Sequence, residues 1–247
     1  MDVHRSILQT YRDDFTKYKT RIGINKIGEL FEKIPNGLGK KVKYSQFFPE
    51  EKSTTVSKLI DLFIKARLIL PAYHTNGTKP PISAQKDEST FKLFFLDIGL
   101  FNRFHNLSYE DLNSSNSKFL TEGFAAEQFV AQHLAYALSD RDRLQLFYWL
   151  KDKKTDMAEL DFIISKGKTI IPLEVKSSKT GTLKSLFYFM GINKYKLAVR
   201  LDCKERNAKE IEEKVSFSIA NQQEKIKCNF KLINIPLYMI EKIYDII

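Results

Sequence analysis

Apolar residues recur at helical spacing through the first third of the chain, and strand-like runs follow them. The spacing predicts helices over residues 3–18, 26–33 and 56–66. Strand-like runs are predicted over 68–73 and 90–95, with a loop rich in Gly, Pro, Ser and Asn between them. Helices followed by a β-wing predict a mainly helical, winged-helix-like domain over residues 1–112.

A polar stretch over residues 110–117 marks the predicted boundary with a second domain over 117–247. In this second part the pattern predicts a helix over 119–138, a β-hairpin, a further helix over 179–189 and a strand over 194–201. Strands interspersed with helices predict an α/β fold.

The hairpin is the best-defined element of the second domain. Residues 162–164 and 169–171 are rich in β-branched and aromatic side chains, and Gly167 lies in the turn between them. A two-residue loop would pair Lys166 with Thr169.

Counting outward from that pair places Asp161 opposite Glu174 and Glu159 opposite Lys176. Side chains alternate between the two faces of a strand, so all four are predicted to share one face. Opposed carboxylates lie about 5 Å apart and repel each other unless a cation separates them or one takes up a proton. Two interpretations are open, a Mg²⁺ or Mn²⁺ site with Lys176 acting on water or phosphate, and a structural cluster of cross-strand ion pairs.

The acidic pattern resembles the core of the PD-(D/E)xK nuclease superfamily. Glu159-x-Asp161 and Glu174-Val175-Lys176 carry this resemblance, and residues 123–131 resemble the first acidic helix of the superfamily. Further segments resemble a domain of unknown function that forms the C-terminal part of a large family of prokaryotic AAA-type ATPases. Those segments are 11–15, 34–35, 91–100, 147–150, 171–178, 184–186 and 235–240.

The resemblance implies a restriction-endonuclease-like mixed sheet flanked by helices, after the winged-helix-like segment. By position, Glu127, Asp161, Glu174 and Lys176 are the implied catalytic residues, and Asp161, Glu174 and Glu127 the implied ligands of Mg²⁺ or Mn²⁺. Leu160 stands where the superfamily often has Pro. The implied function is a metal-dependent, DNA endonuclease-like module that hydrolyses phosphodiester bonds. A non-catalytic DNA-binding or assembly module with the same fold is the alternative, because fold does not fix function.

The ATPase part of that family is expected to be absent from this chain. A P-loop requires G-x-x-x-x-G-K-[ST], whereas residues 37–41 read Gly-Leu-Gly-Lys-Lys and lack both the spacing and the hydroxyl residue. This segment is predicted to be a loop after a helix. An ATPase domain, in cis or in trans, is an expected partner.

The charge composition of the chain indicates what kind of partner it binds. The net charge of +10 and the pI of about 9.3 favour a polyanionic partner such as DNA. Lys58, Lys65 and Lys184 are the candidate nucleic-acid contacts. Two cysteines without metal-type spacing indicate a reducing compartment, and the absence of a signal peptide and of a long apolar run predicts a cytoplasmic location without membrane contact.

Overall fold

The computed structural model describes residues 3–15, 17, 24–107, 123–137, 145–153, 156–177, 182–203, 205–218 and 225–247. In these ranges the chain is a mixed α/β protein with a helical N-terminal part. The α-helices are α1 (Val3–Phe15), α2 (Ile24–Lys33), α3 (Ser53–Lys65), α4 (Ile98–Phe104), α5 (Phe124–Ala137), α6 (Lys184–Asn193) and α7 (Ile243–Ile246). The strands are β1 (Ile69–Thr75), β2 (Lys86–Phe95), β3 (Leu146–Lys153), β4 (Asp156–Leu160), β5 (Phe162–Lys166), β6 (Thr169–Lys176), β7 (Leu197–Asp202), β8 (Lys209–Ser218) and β9 (Lys225–Pro236).

The first sheet has the order β2-β1-β3-β4 and draws strands from both predicted domains. Strands β1 and β2 are antiparallel, as a wing would be, and β1 also pairs in parallel with β3. The ranges 1–112 and 117–247 are therefore joined through one sheet. The predicted boundary at 112–117 falls within 108–122, outside the described residues, so the division stays a prediction.

The outer edge of β2 is covered by groups from elsewhere in the chain. The N–H groups of Gly39 and Val42 donate to the carbonyls of Leu93 (2.9 Å) and Phe91 (2.8 Å). The segment 37–41 is thus the predicted loop after a helix, and it shields a strand edge that could otherwise pair with another chain.

The second sheet has the order β5-β6-β7-β9-β8 and mixes parallel with antiparallel pairs. Helix α5 packs on one face, where Ala126, Val130 and Ala131 join a core with β6 and β7 residues. Helix α6 packs on the opposite face through Leu186 and Met190. Burial on both faces explains why Ile170 to Val175 is almost continuously apolar.

The predicted hairpin is confirmed, with Lys166 paired to Thr169 and Phe162 to Leu173. Gly167 has φ of +59°, a left-handed conformation that L-residues with a Cβ adopt at a cost. The turn residue thus fixes the register that carries Glu174.

Replacing this turn glycine is expected to destabilise the protein. A Cβ at Gly167 or at Gly28 would meet nothing within 4 Å, but only Gly167 has a positive φ, since Gly28 lies in α2. Gly167→Ala is expected to lower the free energy of unfolding by roughly 1–2 kcal/mol. Gly28→Ala, the matched control, is expected to raise it by about 0.5–1 kcal/mol. Urea unfolding of both variants measures the contrast, and a loss of equal size in both would show that backbone conformation is not the cause.

Candidate functional site

Six charged side chains gather where α5, β2, β4 and β6 meet. Four are acids, which together are called the acidic cluster, and two are lysines. They are Glu127, Glu159, Asp161, Glu174, Lys92 and Lys176.

Asp161 lies between β4 and β5, where the ladder of the hairpin stops. The last paired residues are Phe162 and Leu173, and the Asp161 carboxylate then accepts the backbone N–H of Val175 at 2.7 Å. This hydrogen bond from the Asp161 side chain takes the place of the next backbone hydrogen bond of the ladder and holds Asp161 beside Glu174. Burial raises the pKa of Asp161, against the opposing field of Lys92.

Glu174 is 6% exposed and lies on β6, an interior strand of the second sheet. Its Oε1 accepts a hydrogen bond from Nζ of Lys176 at 2.6 Å. Its Oε2 is buried, and no described group donates to it. Burial and the neighbouring Asp161 raise the pKa of Glu174 to about 8, although Lys176 opposes the shift.

The predicted pairing of Glu159 with Lys176 is wrong. Glu159 lies on β4, which pairs with β3 in the first sheet, so Glu159 stands opposite Leu150. The chain changes sheets at Asp161, and counting along one hairpin therefore fails beyond that residue. The Glu159 side chain instead forms a close ion pair with Lys92.

Lys92 is the site residue that sequence reasoning missed. Its side chain is only 4% exposed, and Nζ lies 3.7 Å from Oε2 of Glu127 and 5.3 Å from the centre of the Tyr148 ring. Burial acts to lower the pKa of Lys92, but the carboxylates of Glu127, Glu159 and Asp161 outweigh it and raise that pKa. Lys92 is therefore held as an ammonium ion.

A sequence signal for Lys92 exists. It interrupts the apolar run Phe91 to Phe95, just as Glu174 interrupts Ile170 to Val175. A charge inside a strand buried on both faces needs a partner, and that argument applies to the lysine as well as to the acid.

Glu127 lies in the first turn of α5, and its Oε2 is 3.7 Å from Nζ of Lys92, so this residue implied by the resemblance belongs to the acidic cluster. Burial comes first among the causes that raise its pKa to about 8, followed by repulsion from Asp161. Lys92 opposes this shift. Burial and mutual repulsion thus shift both Glu127 and Glu174 toward the protonated form.

The acidic cluster offers the oxygen ligands and the negative charge that a hard divalent cation prefers. Its ligand atoms are carboxylate oxygens, which repel one another, and the buried Oε2 of Glu174 accepts no hydrogen bond from any described residue. Across the described ranges, however, no three His, Cys, Asp or Glu side chains already stand close enough to enclose a metal ion. Instead, Lys92 pairs with Glu127 and Glu159, and Lys176 pairs with Glu174.

The three candidate nucleic-acid contacts lie in two places. Lys184 is exposed at the start of α6, and Oγ of the next residue, Ser185, accepts the N–H of Glu159 at 3.3 Å, so the start of α6 contacts β4. Lys58 and Lys65 are exposed on α3, whose Leu59, Ile60 and Phe63 are buried.

No helix in the described ranges has the length and apolar character needed to span a membrane.

Comparison with known families gives two matches. Residues 122–238 match the family model of a domain of unknown function, DUF4143. Residues 1–111 match that of a second domain of unknown function, DUF8612. Neither description names an ATPase or a nuclease. No curated protein and no solved structure matches the chain. The chain is therefore similar, over its two successive parts, to two domain families of unknown function.

Proposed function

We propose that the chain is a metal-dependent, DNA endonuclease-like module that hydrolyses phosphodiester bonds. The observation that carries the proposal is the pair of Asp161 and the buried Glu174, in which Lys176 donates to one oxygen of Glu174 and no residue that the structure describes donates to the other. The resemblance to the PD-(D/E)xK superfamily supports it. The resemblance to the C-terminal domain of AAA-type ATPases supports an ATPase domain, in cis or in trans, as a partner.

Each residue has a defined role in this proposal. Asp161 and Glu174, with Glu127, would hold Mg²⁺ or Mn²⁺, which when bound supplies Lewis-acid stabilisation of phosphate and a more acidic water. Lys176 would donate to a phosphate oxygen or to the attacking water, since its Nζ carries donors beyond the one given to Glu174.

The charge of the chain supports DNA as the substrate. The net charge is +10, and Lys184 is exposed at the start of α6, the helix whose Ser185 contacts β4, so it could meet a phosphate backbone there. Lys58 and Lys65 would give a second contact, on α3.

A non-catalytic DNA-binding or assembly module remains the second candidate, and one observation favours it. Lys92 with Glu159, and Lys176 with Glu174, already form ion pairs within the site. Such a cluster can serve to hold α5, β2, β4 and β6 together without any catalysis.

Cleavage and metal binding test the two candidates. The wild type is expected to cleave linear, branched or single-stranded DNA with Mg²⁺ or Mn²⁺, and Asp161→Ala and Glu174→Ala are expected to abolish cleavage. Calorimetric titration with Mn²⁺ should show binding that Glu174→Gln removes and that Glu212→Gln, an exposed control on β8, retains. Salt-sensitive DNA binding that survives the site substitutions, without cleavage or Mn²⁺ binding, would sink the nuclease proposal in favour of the second candidate.

A further inference from the structure

A row of polar side chains extends from the candidate site across two further strands of the second sheet. Glu174 of β6 stands beside Arg200 of β7, and Arg200 stands beside Asn234 of β9. The three strands run parallel to one another, so their carboxyl ends meet at one edge of the sheet. The row lies near that edge, which is where open α/β sheets bind their ligands.

The row marks a change from apolar to polar residues on one face of the sheet. Two or four residues earlier on the same face, the three strands carry Ile170, Ala198 and Leu232, which pack in one core with α6. Packing alone would favour further apolar residues at the next positions. Polar residues at the same level of three adjacent strands therefore need another reason.

Each residue of the row has a buried polar atom without a hydrogen bond to any described residue. These atoms are Oε2 of Glu174, Nε of Arg200 and Oδ1 of Asn234. Asn234 is only 4% exposed. Its amide can turn either the oxygen or the NH2 group toward a ligand, because the two ends have nearly the same shape. Burying such groups costs stability, so three of them in one row call for a functional explanation.

Two cations near the row are held in place by buried acids. Lys176 donates to Glu174 at 2.6 Å, and Nη2 of Arg200 donates to Asp202. The side chains of Lys176 and Arg200 are 18% and 22% exposed, so both cations reach the surface while their acids stay buried. Both have N–H groups beyond those given to the acids, and a fixed guanidinium is well suited to bind an oxyanion.

We infer that Lys176, Arg200 and Asn234 form a binding site for a phosphate group of the DNA backbone. Each of three adjacent strands supplies one donor, which is Nζ of Lys176, Nε of Arg200 or the amide of Asn234. The inference rests on the proposed function in taking DNA as the ligand. It deepens that function because Arg200 and Asn234 lie outside the PD-(D/E)xK pattern and extend the DNA contact across β7 and β9.

DNA binding without metal tests this site, because it requires no cleavage. Fluorescence anisotropy of labelled duplex and single-stranded DNA in EDTA gives the Kd at several salt concentrations. Arg200→Gln is expected to raise the Kd about tenfold and to reduce the slope of log Kd against log salt concentration by about 0.7–0.9, the value for one lost phosphate contact. Lys227→Gln, which removes an exposed lysine near the start of β9, should change the Kd less than about twofold.

Asn234→Leu tests the site by a second route if Arg200→Gln does not fold. Leu removes the buried unpartnered oxygen, so the Tm is expected to stay the same or to rise. The Kd for DNA is nevertheless expected to rise about three- to tenfold, which a purely structural residue would not cause. Asn229→Leu, at an exposed position of the same strand, should leave the Kd unchanged. Unchanged affinity and salt dependence in Arg200→Gln, or unchanged affinity in Asn234→Leu, would overturn the inference.

The phosphate site and the nuclease proposal can fail separately. Cleavage by the wild type, together with unchanged DNA affinity in the two variants, would overturn the phosphate site and leave the nuclease proposal standing. Weaker DNA binding in the variants, without cleavage by the wild type, would support the phosphate site within the DNA-binding candidate. A wild type that binds no DNA would overturn the phosphate site, whatever the Mn²⁺ titration shows.

Discussion

Lys176→Met is expected to slow DNA cleavage by about 100-fold or more while Mn²⁺ binding persists. The Lys176 ammonium lies 2.6 Å from Oε1 of Glu174 and keeps an exposed fraction of 18%, so it can reach a substrate while remaining fixed by the sheet. Removing it deletes a charge that favours the phosphate in the transition state, yet leaves all four acids in place. Mn²⁺ affinity should stay the same or increase, because a cation that competes for Glu174 is gone.

Single-turnover cleavage at saturating Mn²⁺, together with calorimetry, separates these two effects. Lys168→Met is the matched control. Lys168 is an exposed lysine in the turn of the same hairpin, and its substitution changes the net charge by the same amount as Lys176→Met. Its cleavage rate is expected within about twofold of the wild type, as for most surface substitutions. Parallel loss of cleavage and of Mn²⁺ binding in Lys176→Met would contradict the assignment and give Lys176 a purely structural role.

From the local sequence, only the residues in and directly beside the β5–β6 hairpin could be placed relative to one another. Gly167 and the β-branched runs beside it define a short loop, and a short loop fixes which residues stand opposite each other. That reasoning correctly brought Asp161 close to Glu174. It failed for Glu159 because β4 and β5 belong to different sheets, and a change of sheet leaves no mark in the alternation of apolar and polar residues.

The pattern of apolar and polar residues does not predict which distant parts of the chain come into contact. The pairing of β1 with β3 joins residues that are more than 70 positions apart, and the Lys92–Glu159 ion pair spans a similar distance. The β8–β9 hairpin was missed for a different reason. Charged residues occupy half of β8, so the sequence shows no clear alternation of buried and exposed positions there, and the strand is defined by its backbone pairing with β9.

The junction between the two parts of the chain depends on one buried amide. Gln128 of α5 is 1% exposed, donates to the carbonyl of Phe95 and accepts the N–H of Phe95, both at 2.8 Å. It thereby completes the outer edge of β2, three residues from Lys92. Gln128→Leu would leave both backbone groups buried without partners, and it is expected to lower the free energy of unfolding by about 2–5 kcal/mol.

At about 2–4 °C per kcal/mol for a chain of this size, Gln128→Leu should lower the Tm by at least about 4 °C. Gln132→Leu is the matched control on the same helix, because Gln132 accepts a hydrogen bond from the N–H of Ile98 at 2.7 Å in a half-buried setting, with no second bond to any described residue. Its loss should be about 1 kcal/mol. A smaller loss for Gln128 than for Gln132 would show that solvent reaches the edge of β2 and satisfies Phe95. A larger loss, accompanied by weaker Mn²⁺ binding, would show that this junction also holds Lys92 and Glu127 in register, and so that the first part of the chain helps to build the site.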